Sequence, residues 1–219
     1  QATQAQVDAA KAALDAAVAG LKEKSTPVIP TPTPTPTPSE PEFPFTDVKE
    51  NSVFRDAIAW AAKKGITTGK TETTFDPNGT CTRAQIVTFL WRAAGSPVVN
   101  YAMSMTDVPE NAYYTEAVRW ALSKGITTGT TEATFSPNAA CIRAQAVTFL
   151  FRYMAPDAVT LQELVSGFAD ATAVPSYALP AMNWALATGI VQGYGSNLLP
   201  NDICTRAHIV SFLYRMLAK

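Results

Sequence analysis

Three arginines recur in the second part of the chain, each followed directly by alanine and each placed where a helix is predicted to begin. They are Arg83, Arg143 and Arg206. The first turn of a helix carries unpaired backbone N–H groups and the positive end of the helix dipole. A guanidinium group beside such a helix start suits a carboxylate, which arginine engages through two parallel hydrogen bonds. The pattern therefore predicts three equivalent sites for an acidic ligand.

An aspartate precedes each of these arginines at one constant spacing along the chain. The three are Asp47, Asp107 and Asp170. Each aspartate can pair with the arginine of its own copy and hold that copy together, which is a purely structural role. The two roles are compatible, because an aspartate can also orient the arginine toward a ligand. We therefore include the aspartates among the candidate ligand-binding residues.

Glycines and tryptophans repeat with the same period and complete the candidate set. The glycines are Gly69, Gly129 and Gly193, and the tryptophans are Trp60, Trp120 and Trp184. Glycine at these positions allows a tight turn and also lets the backbone approach a ligand closely. The tryptophan rings can stack on a sugar, but they lie within apolar helical stripes, which favours packing in a core. Three further arginines end predicted helices and are expected to cap carbonyl groups or to lie along the surface: Arg92, Arg152 and Arg215.

The chain has three cysteines and one histidine, which leaves little material for nucleophilic or metal chemistry. Cys81, Cys141 and Cys204 occupy equivalent positions, and we interpret them as small buried apolar residues. A disulfide between two copies would leave one cysteine unpaired, and a three-thiolate metal site is the least favoured alternative. His208 alone cannot supply a catalytic group to every copy, and no phosphate-binding glycine loop or zinc spacing occurs. We predict no catalytic residues, no metal and no cofactor.

The elements that position these residues come in three copies with a period of about 60 residues. The copies span about 45–104, 105–166 and 167–219, and each has the pattern of helix, loop, helix. The second helix of the first copy begins at Thr82 with a capping box. Ile142 interrupts this box in the second copy, and His208 replaces its last residue in the third. Because two short helices bury too little apolar surface to fold alone, we predict one all-α domain with pseudo-threefold symmetry.

The first 44 residues differ in composition from the repeats. Residues 1–25 are rich in alanine and carry apolar side chains at helical spacing, which predicts the terminal helix of an upstream helical module. Residues 26–44 are rich in threonine and proline, which predicts an extended linker. The 17 Lys and Arg against 18 Asp and Glu give a net charge of -1, which argues against nucleic-acid binding. No apolar run is long enough for membrane insertion.

The repeated motifs resemble the S-layer homology (SLH) domain family over the whole of residues 45–219. The resemblance lies in the Phe-x-Asp opening, the tryptophan of the first helix, the Gly-Ile-x-x-Gly turn, the Phe-x-Pro-Asn loop and the Thr-Arg-Ala helix start. It implies a three-pronged helical spindle and non-covalent attachment to an acidic, often pyruvylated, secondary cell-wall polysaccharide. The implied location is extracellular, at the cell wall or S-layer of a Gram-positive-type bacterium, with upstream surface-protein domains in the same polypeptide.

The resemblance also implies which residues contact the ligand. In this family the arginine at the start of the second helix is a principal contact, and it carries over to Arg83, Arg143 and Arg206. The glutamate that usually follows is replaced here by Gln85, Gln145 and His208. The N-terminal helix is similar to the end of a FIVAR-type wall-associated bundle.

The sequence leaves two other functions to consider besides wall attachment. The main alternative is a protein-interaction or self-assembly module of the cell surface. A glycan hydrolase would need two carboxylates facing each other in one cleft. The aspartates recur once per copy, which suits equivalent binding positions better than an acid and base pair.

Overall fold

The structure, a computed structural model, describes residues 3–20, 43–154 and 163–218. The chain divides into two compact units, residues 1–42 and residues 43–219. The predicted Thr/Pro-rich linker, 26–44, lies outside the described residues except for its last two positions. No helix in the described parts is long and apolar enough to cross a membrane.

The first unit contains one described helix, α1, which spans Gln4–Ala19. The Thr3 amide donates to Oε1 of Gln6 at 2.9 Å, and this capping contact fixes the helix start. Every described residue of α1 is exposed, including its apolar side chains. The predicted helix is confirmed over these residues, and its place in a larger helical module stays a prediction.

The second unit contains three helix–loop–helix repeats, as the sequence predicts. The first helices of the repeats are α2 (Arg55–Lys63), α4 (Thr115–Ser123) and α6 (Leu179–Ala187). The second helices are α3 (Arg83–Ala93), α5 (Arg143–Met154) and α7 (Arg206–Leu217). Short 3-10 turns precede α6 at Leu164–Gly167, Ala171–Ala173 and Ser176–Ala178. Within the described ranges there is no β-strand, and the all-α prediction is confirmed.

Each first helix ends in a glycine turn that directs the chain into the following loop. In the first repeat the Ile66 amide donates to the Ala61 carbonyl at 2.9 Å, and the Gly65 amide donates to the Ala62 carbonyl at 2.9 Å. These two bonds form a Schellman motif, which requires a left-handed residue after the helix. Gly65 supplies it with a φ of 69°, as predicted.

The repeats pack on one another in a closed ring. Each second helix packs on the first helix of the following repeat: α3 on α4, α5 on α6, and α7 on α2. The second helices also approach one another, α3 with both α5 and α7. They contribute completely buried side chains such as Ile86, Leu150 and Leu213 to one shared core. The predicted pseudo-threefold arrangement is therefore present, because every repeat buries its apolar faces against both neighbours.

The three cysteines lie where the repeats meet at the centre of this ring. The Cys81 amide donates to the Cys204 carbonyl at 3.0 Å, the Cys141 amide to the Cys81 carbonyl at 3.0 Å, and the Cys204 amide to the Cys141 carbonyl at 2.8 Å. We call this cycle the cysteine ring. The three thiols are free and completely buried, which confirms the interpretation as small buried residues. Burial raises the pKa of the Cys204 thiol to about 12, so the thiol is uncharged.

Candidate functional site

The three arginines predicted as ligand contacts occupy the first position of the second helices and cross into the next repeat. Their side chains are almost covered, with 5%, 3% and 6% of the surface of Arg83, Arg143 and Arg206 exposed. Each Nε donates to a loop carbonyl of the following repeat: Arg83 to Phe135 at 2.9 Å, Arg143 to Leu198 at 3.1 Å, and Arg206 to Phe75 at 2.8 Å. These bonds fix each guanidinium group at the interface between two repeats.

The backbone N–H groups beside these arginines are not free, and the expectation that they help to bind an anion is wrong. The Arg83 amide donates to the Ala139 carbonyl at 3.0 Å, and the Ala84 amide donates to the Pro137 carbonyl at 3.0 Å. The next amide in the helix, that of Gln85, donates to the Thr82 hydroxyl. A loop of the following repeat thus binds the first two amides of each second helix, which leaves the guanidinium group as the main group that can meet an acidic ligand.

The aspartates do not pair with the arginines of their own repeats, so that structural alternative is wrong for the described residues. Asp47 accepts hydrogen bonds from the amides of Phe75 and Asp76 at 2.8 and 2.7 Å. Asp107 and Asp170 accept the equivalent pairs of amides in the second and third repeats. The second amide of each pair belongs to a non-glycine residue with positive φ, 60° at Asp76, so the carboxylate holds a strained turn in place.

Aspartate and arginine instead hold the same loop from two sides. Arg206 binds the carbonyl of Phe75, whose own amide donates to Asp47. The aspartate of one repeat therefore positions the loop that receives the arginine of the preceding repeat. Direct contact between these aspartates and a ligand stays a prediction.

Arg83 faces a cavity of about 360 Å³ where the first repeat meets the second, with Tyr177 of the third repeat also in its lining. Its guanidinium carbon lies 4.9 Å from the ring centre of Phe135 and 5.3 Å from that of Phe149, within the range of cation–π contacts. A second guanidinium group, that of Arg152, also lines this cavity. We call the cavity the Arg83 groove, and its lining residues are Arg83, 127–130, Gln145, Thr148, Phe149, Arg152 and Tyr177.

Arg143 faces a corresponding cavity of about 290 Å³ where the second repeat meets the third, with Val53 and Phe54 of the first repeat also in its lining. Its guanidinium carbon lies 5.0 Å from the ring centre of Tyr194 and 5.4 Å from that of Phe212. Arg215 is the second guanidinium group of this cavity. We call it the Arg143 groove, and its lining residues are Val53, Phe54, Arg143, 192–194, His208, Ser211, Phe212 and Arg215.

A histidine and a tyrosine form a hydrogen-bonded pair within the Arg143 groove. His208 Nδ1 accepts a hydrogen bond from the Thr205 amide at 3.3 Å, so the neutral ring carries its proton on Nε2. Nε2 lies 2.6 Å from the Tyr194 hydroxyl oxygen, which therefore accepts a hydrogen bond from Nε2–H and directs its own hydrogen elsewhere. Burial, together with the nearby Arg143 and Arg215, lowers the pKa of His208 to about 4. The ring is therefore neutral near pH 7.

The surroundings of Arg206 differ from both grooves. Its guanidinium carbon lies 4.8 Å from the ring centre of Phe75 and 5.6 Å from that of Phe89. Its Nη2 atom is buried and has no hydrogen-bond partner among the described residues. The neighbouring loop carries Asp76, paired with Lys70 at 2.7 Å, and the Lys70 ammonium group lowers the pKa of that carboxyl. An acidic side chain thus already lies near this third guanidinium group.

The three glycines meet the requirement of a tight turn, and two of them also line a groove. Gly69, Gly129 and Gly193 have φ values of 84°, 91° and 76°. A Cβ atom on Gly69 would lie 2.4 Å from the Thr71 carbonyl oxygen and 2.5 Å from the Phe45 ring. The turn therefore excludes larger residues. Backbone of Gly129 and of Gly193 forms part of the Arg83 and Arg143 grooves, respectively.

The tryptophans pack between helices, which supports the interpretation that the sequence favoured. Trp120 and Trp184 are buried, and Trp60 is half-buried. Their rings contact aromatic side chains of second helices, with centres 5.6 to 5.8 Å apart: Trp60 with Tyr214, Trp120 with Tyr153, and Trp184 with Phe151. None of them lines the Arg83 or Arg143 groove. Stacking of a tryptophan on a ligand stays a prediction.

The sequence reasoning missed Arg152 and Arg215 as site residues. Both bind carbonyl groups as predicted, Arg152 that of Ile126 at 3.4 Å and Arg215 that of Ile190 at 3.0 Å. The helical period could have identified both arginines, because the residues three, four and seven positions after Gln145 or His208 lie on the same helical face. In the third repeat this face carries Ser211, Phe212 and Arg215, all of which line the groove.

Comparison with known proteins places the three repeats in a family. The S-layer homology domain matches residues 44–87, 104–147 and 167–209. The chain is 27% identical to an amylopullulanase of Thermoanaerobacterium thermosulfurigenes over 80% of the chain and 10% of that protein. It is 28% identical to a cell surface protein of Thermoanaerobacter kivui, over 80% of the chain and 21% of that protein. It is also 28% identical to the surface-layer 125 kDa protein of Lysinibacillus sphaericus, over 69% of the chain and 13% of that protein.

The chain thus spans between 10% and 21% of the length of these three relatives. The family matches fall one on each helix–loop–helix repeat, and each includes the arginine that crosses to its neighbour. On this evidence of sequence and architecture, the chain belongs to the S-layer homology domain family.

Proposed function

We propose that the second unit is a non-catalytic module that attaches its polypeptide to the cell wall by binding an acidic polysaccharide in the Arg83 and Arg143 grooves. The S-layer homology family and the surface proteins among its relatives support cell-wall attachment in general. The proposal adds the ligand class, a secondary wall polymer with carboxylate groups such as pyruvate ketals, and an extracellular location on a Gram-positive-type bacterium. Upstream domains of the same polypeptide would be the attached cargo.

The observation that carries this proposal is the charge of the two grooves. Each groove is lined by two arginines and by no carboxylate. Keeping two positive charges in a partly covered cleft has a cost in free energy, because the charges lose hydration. An anion bound between them lowers this cost, because it replaces the lost hydration. A neutral sugar would leave both charges without a counter-ion. The grooves therefore favour a carboxylate-bearing glycan.

The geometry of the guanidinium groups supports direct contact with a ligand. Arg83 and Arg143 use only Nε in hydrogen bonds to described residues. Both residues line their grooves, with 5% and 3% of their surface exposed, and their Nη atoms make no hydrogen bond to a described residue. Aromatic rings and the Nε bond hold the planar group still, which reduces the entropy lost on binding. Two such grooves on one rigid unit would bind a repeating polymer with avidity.

The proposal is tested with purified pyruvylated wall polysaccharide and with the same polymer after removal of its ketals. The double variant Arg152→Gln/Arg215→Gln removes one accessible charge from each groove while leaving the more deeply buried Arg83 and Arg143 in place. We expect its affinity for the pyruvylated polymer to fall by about tenfold to a hundredfold, the range for hydrogen bonds to charged groups. The ketal-free polymer should bind poorly to the unmodified protein.

The control variant is Lys49→Gln/Lys64→Gln, which removes the same charge from exposed positions outside both grooves. It should bind the polymer with nearly unchanged affinity. Equal binding of pyruvylated and ketal-free polymer, or equal losses in the groove and control variants, would overturn the proposal. Binding to wall material that has been stripped of polysaccharide would instead favour a protein partner.

A further inference from the structure

We propose that a second subsite lies beside the Arg83 groove and holds the sugar next to the acidic one in the same glycan chain. This inference rests on the proposed function. The subsite is a cavity of about 370 Å³, which we call the Trp120 pocket. Its lining residues are Ala94, Pro97, Trp120, Lys124, Ile126, Arg152 and Tyr153.

The Trp120 pocket borders the Arg83 groove, and the two cavities share one side chain. Arg152 lines both cavities and is itself exposed. Its single hydrogen bond to a described residue runs from Nη1 to the Ile126 carbonyl at 3.4 Å. Since a guanidinium group has five N–H donors, the remaining donors can serve both cavities. A glycan with its carboxylate near Arg83 would extend past Arg152 into the Trp120 pocket.

The lining of the pocket suits a sugar ring of an acidic polymer. Tyr153 is half-buried and packs on the buried Trp120 with ring centres 5.8 Å apart, so Tyr153 supplies the accessible aromatic surface of the pocket. Lys124 is exposed, and its ammonium group makes no hydrogen bond or ion pair with the described residues. With Arg152 it gives the pocket two positive charges and no carboxylate. Aromatic surface with a few polar groups is the usual composition of a small-molecule site.

The other repeats lack this combination of residues. The position of Tyr153 is occupied by Ala93 in the first repeat and by Met216 in the third. The position of Lys124 is occupied by Lys64 and by Thr188. We therefore expect a longer glycan to gain affinity at the Arg83 groove, and to gain little at the Arg143 groove.

The test measures how affinity grows with glycan length. The probes are the methyl glycoside of a 4,6-pyruvylated hexose and purified pyruvylated wall fragments that are longer by one or two sugars. Binding is followed by calorimetry and by amide chemical shifts of residues in each cavity. Lys124→Gln should reduce the gain from the short to the longer probe by about threefold to tenfold and leave the affinity of the short probe unchanged. Lys64→Gln is the matched control, with the same change at the equivalent position, and should leave both affinities unchanged.

A pair of variants at Tyr153 distinguishes loss of the subsite from loss of folding. Tyr153→Phe keeps the ring and should keep the length dependence, whereas Tyr153→Ala should lose most of it; thermal unfolding of both variants identifies any loss of the native state. An unchanged length dependence in Lys124→Gln, with the short probe still bound, overturns the subsite and leaves the proposed function standing. Failure of every probe to bind the unmodified protein overturns the proposed function itself.

Discussion

The Arg83 and Arg143 grooves have the same architecture and differ in what lies at the third position of their second helices. In the Arg83 groove this residue is Gln145, whose Oε1 atom is buried without a hydrogen-bond partner among the described residues. In the Arg143 groove it is His208, whose two ring nitrogens bind the Thr205 amide and the Tyr194 hydroxyl. Both grooves present two arginines, but the first has an unpartnered buried acceptor beside them, while the second has a hydroxyl that the histidine orients.

This difference has its origin in helix capping. Thr205 and His208 complete a capping box in the third repeat, but Ile142 lacks the hydroxyl that would accept the Gln145 amide. In the third repeat the third residue therefore completes the cap, whereas in the second repeat the buried Oε1 atom of Gln145 makes no such bond. One substitution outside a groove can therefore change the chemistry inside it.

The largest effect should come from the aspartates, which hold an equivalent loop beside each groove. Asp107→Ala and Asp170→Ala each remove a carboxylate that accepts two backbone amides. Because hydrogen bonds to a charged group contribute about 1.5–3 kcal/mol each, we expect each variant to lose about 3–5 kcal/mol of unfolding free energy. Urea denaturation measures this loss. A much smaller loss in one variant would show that the two loops are held differently.

The second prediction concerns pH and applies only to the Arg143 groove. The folded pKa of His208, about 4, is lower than its usual 6.5, so the unfolded chain takes up the proton first as the pH falls. The contribution of the neutral ring is complete above about pH 6.5 and is lost as the pH falls toward 4. Because the side chain is only half-buried, we expect a loss of about 1–2 kcal/mol. His208→Gln should remove this dependence in denaturation measured from pH 7 to 4, and an identical profile in the variant would contradict the assignment.

A third prediction separates the grooves by their tyrosines. Tyr194→Phe removes the hydroxyl whose hydrogen faces away from His208, and we expect affinity for a pyruvylated sugar at the Arg143 groove to fall by about tenfold. Tyr177→Phe, the same change at a tyrosine of the Arg83 groove, should have a smaller effect, since no histidine lines that groove to orient the hydroxyl. Residue-specific NMR titration assigns each loss to its groove. Equal losses would mean that the histidine does not orient Tyr194.

The smallest effect tests the origin of the difference. Ile142→Thr should restore the missing cap and stabilise the protein by about 0.5–1 kcal/mol, and Thr82→Ile should cost a similar amount in the first repeat. Thermal unfolding of both variants is the measurement. If Ile142→Thr gives no gain, the cap does not account for the free Gln145 oxygen.

Local patterns in the sequence predicted the helices, their glycine ends and the positions of the three arginines. They did not predict which groups those arginines meet, because every partner lies in another repeat. The backbone amides of Arg83 and Ala84 were expected to be free, yet they bind carbonyls of Ala139 and Pro137, contacts that exist only once the ring closes. Arg152 could have been identified from its helical face, whereas its position between two cavities depends on packing.

The cysteine ring has a mechanical consequence for a module that carries load. Its three backbone hydrogen bonds form a cycle, so no repeat is terminal and none can detach without breaking two junctions. Tension applied to the chain at Phe43 would therefore be shared by all three repeats, whereas a linear array of repeats can open one end at a time. A domain closed in this way should resist stepwise unfolding from one end. Deletion of any single repeat should unfold the other two.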